Sequence, residues 1–318
     1  MIDVLLVVGG MAILIKAADL LVDGASSLAF RFGISALTIG LTVVSFGTST
    51  PELFVTTSAA LRDNADLAVA NILGSNIFNI LVVLGVAAII CPLPARDQTV
   101  LSEIPFSLTA ALLVGFLANT ALFAETLELS IDRLDGAILL FFFVLFMLYV
   151  YKTSRSDSAN PFGVEAHGTL PRSLIYIGLG LAGLYLGGNW VVSGALGIAA
   201  IFGVSDAVVG LTIVAIGTSL PELVGSAVAA YKKETDIAIG NVVGSNIFNL
   251  LWILGLTSSI VELPFESVSN IDIVTVIASS SLIIVAMVAS RGATIRRTHG
   301  VLFIALYVVY FAYVFLRD

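Results

Sequence analysis

A phrase of fourteen residues that the chain writes twice constrains its fold more than any other feature. "GLTVVSFGTSTPEL" at 40–53 returns as "GLTIVAIGTSLPEL" at 210–223, with ten of fourteen positions identical. "ANILGSNIFN" at 70–79 returns as "GNVVGSNIFN" at 240–249, with seven of ten identical. Both pairs are offset by 170 residues, so the chain is a tandem duplication. Each copy of the first phrase places a proline, an acid and hydroxyl residues within a long apolar run.

Composition names the solvent around those polar residues. Of 318 residues, 58% are hydrophobic and 11% are charged, against roughly a quarter charged in an ordinary soluble domain. The chain is therefore built for a bilayer. Ten apolar runs are long enough to cross about 30 Å of hydrocarbon at about 1.5 Å per residue: 4–29, 36–61, 67–90, 104–123, 134–151, 173–200, 207–231, 237–260, 271–290 and 300–316. Each copy of the duplication holds five of them. Because five is odd, the second copy must enter the membrane upside down relative to the first. The predicted fold is thus an all-α membrane protein of ten transmembrane helices in two inverted five-helix repeats, with broken helices at the centre. Secondary transporters of this plan place their substrate at the repeat interface near the midplane.

The first repeat is read as 1–151 and the second as 173–318. The segment 152–172, "KTSRSDSANPFGVEAHGTLPR", is polar, carries two prolines and reads as the linker. No basic residue precedes the first run and no small-residue cleavage site closes a short apolar core, so that run reads as a retained helix. Lys and Arg in connecting loops mark the cytoplasmic side. Arg62, Arg133 and Arg317 lie on the face with the termini; Arg31, Arg96, Lys152, Arg155, Arg172, Lys232, Lys233, Arg291, Arg296 and Arg297 lie on the other. Both termini are expected outside, in the extracellular or periplasmic space, with a cytoplasmic linker and an inner-membrane location.

Net charge is −8, and Glu125, Glu128, Asp132, Glu262 and Glu266 gather on the outer face, where they read as solvated loop residues. The scattered basic residues give no support to a nucleic-acid partner. Cys91 is the single cysteine, which excludes an intramolecular disulfide and a cysteine metal cluster.

Within the second span, Pro51 lacks an N–H and its ring clashes with the carbonyl of Gly47, so the helix is expected to open over 47–50. At membrane depth, irregular backbone survives only when buried in protein or lining a watery cavity. Beside the break stand the hydroxyls of Thr48 and Ser49 and the carboxylate of Glu52; the second copy supplies Thr218, Ser219, Pro221 and Glu222. An ionisable side chain inside a span is a functional candidate by default. On the next span of each half, Asn71, Ser75 and Asn79, and again Asn241, Ser245 and Asn249, fall on one face at steps of four. Gly74 and Gly244 let another helix approach.

If the halves face each other, the two carboxylates meet among hydroxyl, amide and carbonyl oxygens, with no thiol or imidazole. Such a cage suits hard cations: calcium takes six to eight oxygens in flexible geometry, and the same oxygens could hold several sodium ions. Either motif alone would serve helix packing as well as binding. Both together, duplicated at one spacing, point to a ligand set. Lys16 and Asp19, three apart, read as a neutralising pair, and Asp23 as wetted. Asp66 and Asp236 read as helix starts, where an acid complements the dipole. His167 and His299 read as loop residues.

"GTSTPEL" with "GSNIFN", and "GTSLPEL" with "GSNIFN", resemble the paired alpha repeats of the calcium:cation antiporter superfamily, most closely its prokaryotic sodium/calcium exchanger branch. The resemblance covers the whole chain. It implies calcium ligation by the side chains of Glu52 and Glu222 and the backbone carbonyls of Thr48 and Thr218. It implies flanking sodium sites at Ser49, Ser75, Ser219 and Ser245, with carbonyls of Ser45 and Ala215, and a centre completed by Asn79 and Asn249. Some relatives carry an aspartate where this chain has Asn249. By that analogy the asparagine argues against potassium co-transport and leaves coupling ion and stoichiometry open. The family's gate implies movement of the first and sixth spans, here rich in small residues from Gly9 to Gly24 and from Gly178 to Gly197.

The function expected is a calcium-for-sodium antiporter without a cofactor, working by alternating access. A proton-coupled or other monovalent/divalent exchanger keeps the same fold, because carboxylates also accept protons. A passive channel fits duplicated broken helices less well. An enzyme lacks a nucleophile–base arrangement or a nucleotide motif.

Overall fold

The computed structural model describes residues 2–62, 64–94, 98–120, 129–154, 169–201, 215–265, 269–290 and 293–317. Helices dominate, because a bilayer leaves no water to satisfy exposed backbone. They are α1 (Ile2–Phe32), α2 (Ala36–Thr48), α3 (Thr50–Ala60), α4 (Ala65–Ile90), α5 (Gln98–Leu117), α6 (Arg133–Thr153), α7 (Leu170–Ile201), α8 (Ala215–Thr218), α9 (Leu220–Tyr231), α10 (Thr235–Ile260), α11 (Ser269–Ala289) and α12 (Arg297–Arg317). Four two-residue strands, β1 (Leu93–Pro94), β2 (Ser130–Ile131), β3 (Leu263–Pro264) and β4 (Thr294–Ile295), tie loop ends together.

Among the described residues, seven helices are long and apolar enough to cross a membrane: α1, α4, α6, α7, α10, α11 and α12. The chain is a multi-pass membrane protein. The expected second span is two pieces, α2 and α3, and the described part of the seventh is likewise two, α8 and α9. The proline in each phrase causes both breaks. The fourth expected run corresponds to α5, which holds Pro105 near its start. Lys152 and Thr153 continue α6, and Leu170 to Arg172 begin α7, so helix extends into both ends of the segment read as a linker. Residues 155–168, the acids Glu125, Glu128 and Glu266, His167, and 210–214 of the second phrase lie outside the described residues.

Pairing between the halves is reciprocal. β1 pairs antiparallel with β4, and β2 with β3. Likewise α6 packs on the C-terminal turns of α10, while α12 packs on the C-terminal turns of α4. The two longest helices, α1 and α7, lie against each other along much of their length. Small residues permit it: a Cβ on Gly10 would stand 2.7 Å from the Gly187 carbonyl, and one on Gly180 would stand 2.8 Å from the Leu21 backbone nitrogen.

Helix starts follow local chemistry. Asn64 accepts from the Leu67 N–H at 3.1 Å and Asp66 sits in the following turn; Asp236 occupies the first turn of α10. Asp132 and Asp135 form a reciprocal capping box on α6. His299, read as a loop residue, lies instead in the first turn of α12, where its Nδ1 accepts from the Arg296 N–H at 3.2 Å.

One ionic cluster was only half legible. Lys16 Nζ meets Asp19 at 2.7 Å as expected, but Lys232, just beyond α9, reaches Asp19 at 2.6 Å and Asp23 at 2.7 Å. Asp23 is thus paired as well as half exposed. This cluster fastens the α9–α10 turn to α1. Lys232→Met is expected to lower stability by about 1 kcal/mol, because partly exposed ion pairs contribute about that or less. A thermal melt in detergent checks it: the difference from the parent shrinks as salt rises, and a salt-independent difference removes the ionic explanation.

Candidate ion-binding site

The centre is assembled from the two breaks. Ser49 (φ −82, ψ 6) separates α2 from α3, and Ser219 (φ −89, ψ 6) separates α8 from α9, so each break is one residue long. Pro51 and Pro221 take the first turn of the new helices, where a missing N–H costs nothing. That narrows the expected opening over 47–50 to a single residue. The Phe46 carbonyl, before the break, is taken by the Thr50 hydroxyl at 3.0 Å.

Among the described residues, three stretches of π-helix flank the centre: Gly40–Val44 in α2, Asn79–Val83 in α4 and Phe248–Ile253 in α10. Such bulges insert an extra residue, re-aim side chains and recur at functional sites. Asn79 and Asn249 both lie within them.

Glu52 and Glu222 fall in the first turns of α3 and α9, and both are completely buried. Each carboxylate is held by the serine of the opposite break. Ser49 Oγ donates to Glu222 Oε1 at 3.1 Å, and Ser219 Oγ donates to Glu52 Oε1 at 3.1 Å. Ser245 Oγ lies 3.4 Å from the same Glu222 oxygen, and Ser75 Oγ lies 3.2 Å from Ser219 Oγ. The second oxygens, Glu52 Oε2 and Glu222 Oε2, are buried without a hydrogen-bond partner among the described residues. Neither acid has a basic partner there, and the two carboxylates lie within electrostatic reach of each other.

These bonds do not cover the cost of burying two anions. Stripping water from a carboxylate costs several kcal/mol even after relaxation. A hydrogen bond to a charged group returns about 1.5–3 kcal/mol, and a helix N-terminus up to about 2 kcal/mol. Two like charges facing each other consume much of that gain, so the centre favours added positive charge.

The remaining candidates lie in the two broken helices and in α4 and α10. Ser45, Thr48, Ser75, Asn79, Thr218, Ser245 and Asn249 are all buried. Ser45 Oγ donates to the Gly40 carbonyl at 2.6 Å and lies 3.1 Å from the Asn241 carbonyl across the repeat boundary. Asn79 Nδ2 donates to Asn246 Oδ1 at 3.1 Å, whereas both polar atoms of the Asn249 side chain are buried and without a partner among the described residues. Ala215 is the first described residue of α8, ahead of the second break. Among the described residues no three of His, Cys, Asp and Glu cluster, so the surroundings are two carboxylates amid hydroxyls, amides and backbone.

Sequence reasoning left Asn76 and Asn246 out of the site, and it named Asn71 and Asn241 without their hydrogen-bond partners. Asn246 reaches the Asn76 carbonyl at 3.3 Å, so Asn76, Asn246 and Asn79 knit α4 to α10. Asn71 donates to Thr56 at 3.0 Å, and Asn241 donates to Ser226 at 2.9 Å. The available signal was identity across the repeat, since Asn76 and Asn246 stand at the 170-residue offset.

Comparison with known proteins identifies the family. The family model described as sodium/calcium exchanger protein matches residues 2–152 and 172–316. The putative antiporter CaxA of Alkalimonas amylolytica is 37% identical over 310 residues, covering 95% of each chain. The inner membrane protein YrbG of Escherichia coli (strain K12) is 35% identical over 318 residues, covering 96% of this chain and 95% of YrbG. A solved structure of the sodium-calcium exchanger NCX_Mj, soaked with 2.5 mM Na+ and 0.1 mM Ca2+, superposes with a TM-score of 0.83 at 31% identity and covers 98% of both chains. With the family model spanning both halves and both motif copies, the chain belongs to the sodium/calcium exchanger protein family.

Proposed function

We propose that this protein is a secondary antiporter that expels Ca2+ across the inner membrane in exchange for Na+, by alternating access at one central site. The observation that carries this reading is the pair of buried carboxylates, Glu52 and Glu222, each bonded by the serine of the opposite break and neither paired with a base among the described residues. Two carboxylates balance one divalent ion. Calcium is the divalent cation that accepts flexible, oxygen-rich coordination most readily. Competition of Ca2+ and Na+ for the same oxygens provides the exchange.

In this reading Glu52 and Glu222 bind through their side chains and Thr48 and Thr218 through their carbonyls. Ser49, Ser75, Ser219 and Ser245, with the carbonyls of Ser45 and Ala215, serve sodium, and Asn79 and Asn249 complete the centre. Repeats 1–151 and 173–318 form inverted five-span halves joined by a cytoplasmic linker, with both termini outside. Reciprocal strand and helix pairing between the halves supports the inversion. The activity is transport and not catalysis.

The test is calcium flux into vesicles reconstituted with the full chain. An imposed sodium gradient is expected to drive calcium uptake and a potassium gradient is not. Uptake that ignores sodium but follows an imposed pH gradient would reassign the counter-ion to the proton. Uptake with no counter-ion at all would make the protein a passive pore.

A further inference from the structure

Asn241 touches both broken helices at once. It is fully buried in α10, nineteen residues after Glu222 in sequence and on a different helix. Its Nδ2 donates to Ser226 Oγ at 2.9 Å and lies 3.4 Å from the backbone carbonyl of Glu222. Its Oδ1 accepts from Thr48 Oγ1 at 3.1 Å, and Thr48 is the last residue before the break in the opposite half. Its own backbone carbonyl lies 3.1 Å from Ser45 Oγ, one turn earlier in α2.

A carboxamide is suited to this place because it is donor and acceptor together. The donating end holds the turn that carries Glu222, while the accepting end holds the last residue before the other break. Aspartate would keep the acceptor, lose both donors and add a charge; alanine would lose all three contacts. The repeat echoes one arm of the arrangement, with Asn71 donating to Thr56, the counterpart of Ser226.

We propose that Asn241 is a positioning residue for cation binding: it fixes the Glu222 turn against Thr48, so that the two halves present their ligands at one spacing, without itself touching the ion. This rests on the cation site proposed above. Because it holds the ligands at the binding spacing before the ion arrives, its loss adds an ordering cost to binding and weakens it more than it slows the passage of a bound ion.

The experiment is calcium concentration dependence of sodium-driven flux in vesicles carrying the full-length protein, compared among variants. Asn241→Ala and Asn241→Asp are each expected to raise the half-saturating calcium concentration about 10-fold, with maximal rate within about two-fold of the parent. A fold defect does the reverse, lowering the maximal rate through fewer active molecules and leaving half-saturation in place. Should the Asn241 variants not fold, Ser226→Ala reads the same arm and is expected to raise half-saturation about three-fold, with Ser226→Thr restoring the parent value as Thr56 does in the twin. Parent-like half-saturation in folded Asn241→Ala, or in Ser226→Ala, overturns the proposal. Glu222→Gln separates the two levels: if it is inactive while Asn241→Ala behaves as the parent, only the positioning role fails, whereas active Glu222→Gln removes the site itself.

Discussion

Glu52→Gln and Glu222→Gln are each expected to reduce sodium-driven calcium flux roughly 100-fold or more, about 2.7 kcal/mol of lost binding on the affinity scale. Glutamine keeps the shape of the side chain and an oxygen able to accept from Ser219 or Ser49 at the 3.1 Å positions. What it removes is charge, and charge is what a divalent ion needs from a pocket whose other donors are neutral. Stability should move the other way. Both carboxylates are fully buried and lie within electrostatic reach of each other, so neutralising one relieves repulsion and desolvation together. The thermal midpoint of each variant in calcium-free detergent is therefore expected to equal or exceed that of the parent. Near-normal flux from either variant would show that the acids are not the ligands; a large fall in midpoint would show that they serve the fold.

The second large effect concerns the crossing of α2 and α10, where the first half's break is set against the second half. A Cβ on Gly244 would fall against Ser45 Oγ and lie 2.8 Å from the Leu41 carbonyl and 2.9 Å from the Leu41 Cα. One on Gly240 would lie 2.8 Å from the Leu37 carbonyl. The obstruction is largely backbone, which cannot rotate away as a flexible side-chain end does. Gly244→Ala is therefore expected to cost about 1–3 kcal/mol through overpacking and to push Ser45 and Thr48 away from Asn241. Flux should fall at least 10-fold, and the thermal midpoint should fall with it. Gly225→Ala is the comparison: its Cβ would meet only Asn241 Nδ2, at 3.7 Å, an ordinary contact, so it should fold and transport as the parent does. Equal behaviour of the two alanine variants would refute the close crossing.

Several parts of this architecture were legible before any coordinates. The runs read at 67–90, 134–151, 237–260 and 300–316 correspond to α4, α6, α10 and α12 within a few residues, because mean hydropathy over a bilayer width is a property of the chain itself. The breaks were legible because proline acts locally, on the carbonyl four residues before it. Ser49 and Glu52, with Ser219 and Glu222, could be nominated because a carboxylate in an apolar run is costly wherever it folds. The π-turns at Asn79 and Phe248 had no such local mark: their residues are ordinary helix formers, and the extra residue is accommodated by packing against neighbouring helices.

The Lys232 cluster shows the same division. Lys16 and Asp19 are three apart, so their pairing follows from helix geometry alone. Lys232 is separated from Asp19 by 213 residues, and no periodicity relates them. A turn residue that sequence places simply in a basic loop becomes, in the folded chain, the anchor of α9 to α1.

By itself the amino-acid order determined that this chain lives in a bilayer, that it is written twice, that each copy breaks beside a buried acid, and which oxygens lie near those breaks. Each of these depends on hydropathy, proline sterics or the cost of a charge in oil, and all of them act within a few turns of chain. Tertiary structure alone decided that Ser49 serves Glu222 and Ser219 serves Glu52, that Asn241 holds Thr48, and that Lys232 answers Asp19 and Asp23. Those partners are brought together only when the two halves, alike in their repeated phrases, pack against each other. A pattern along one strand of residues carries no record of which hydroxyl in the twin copy will reach across.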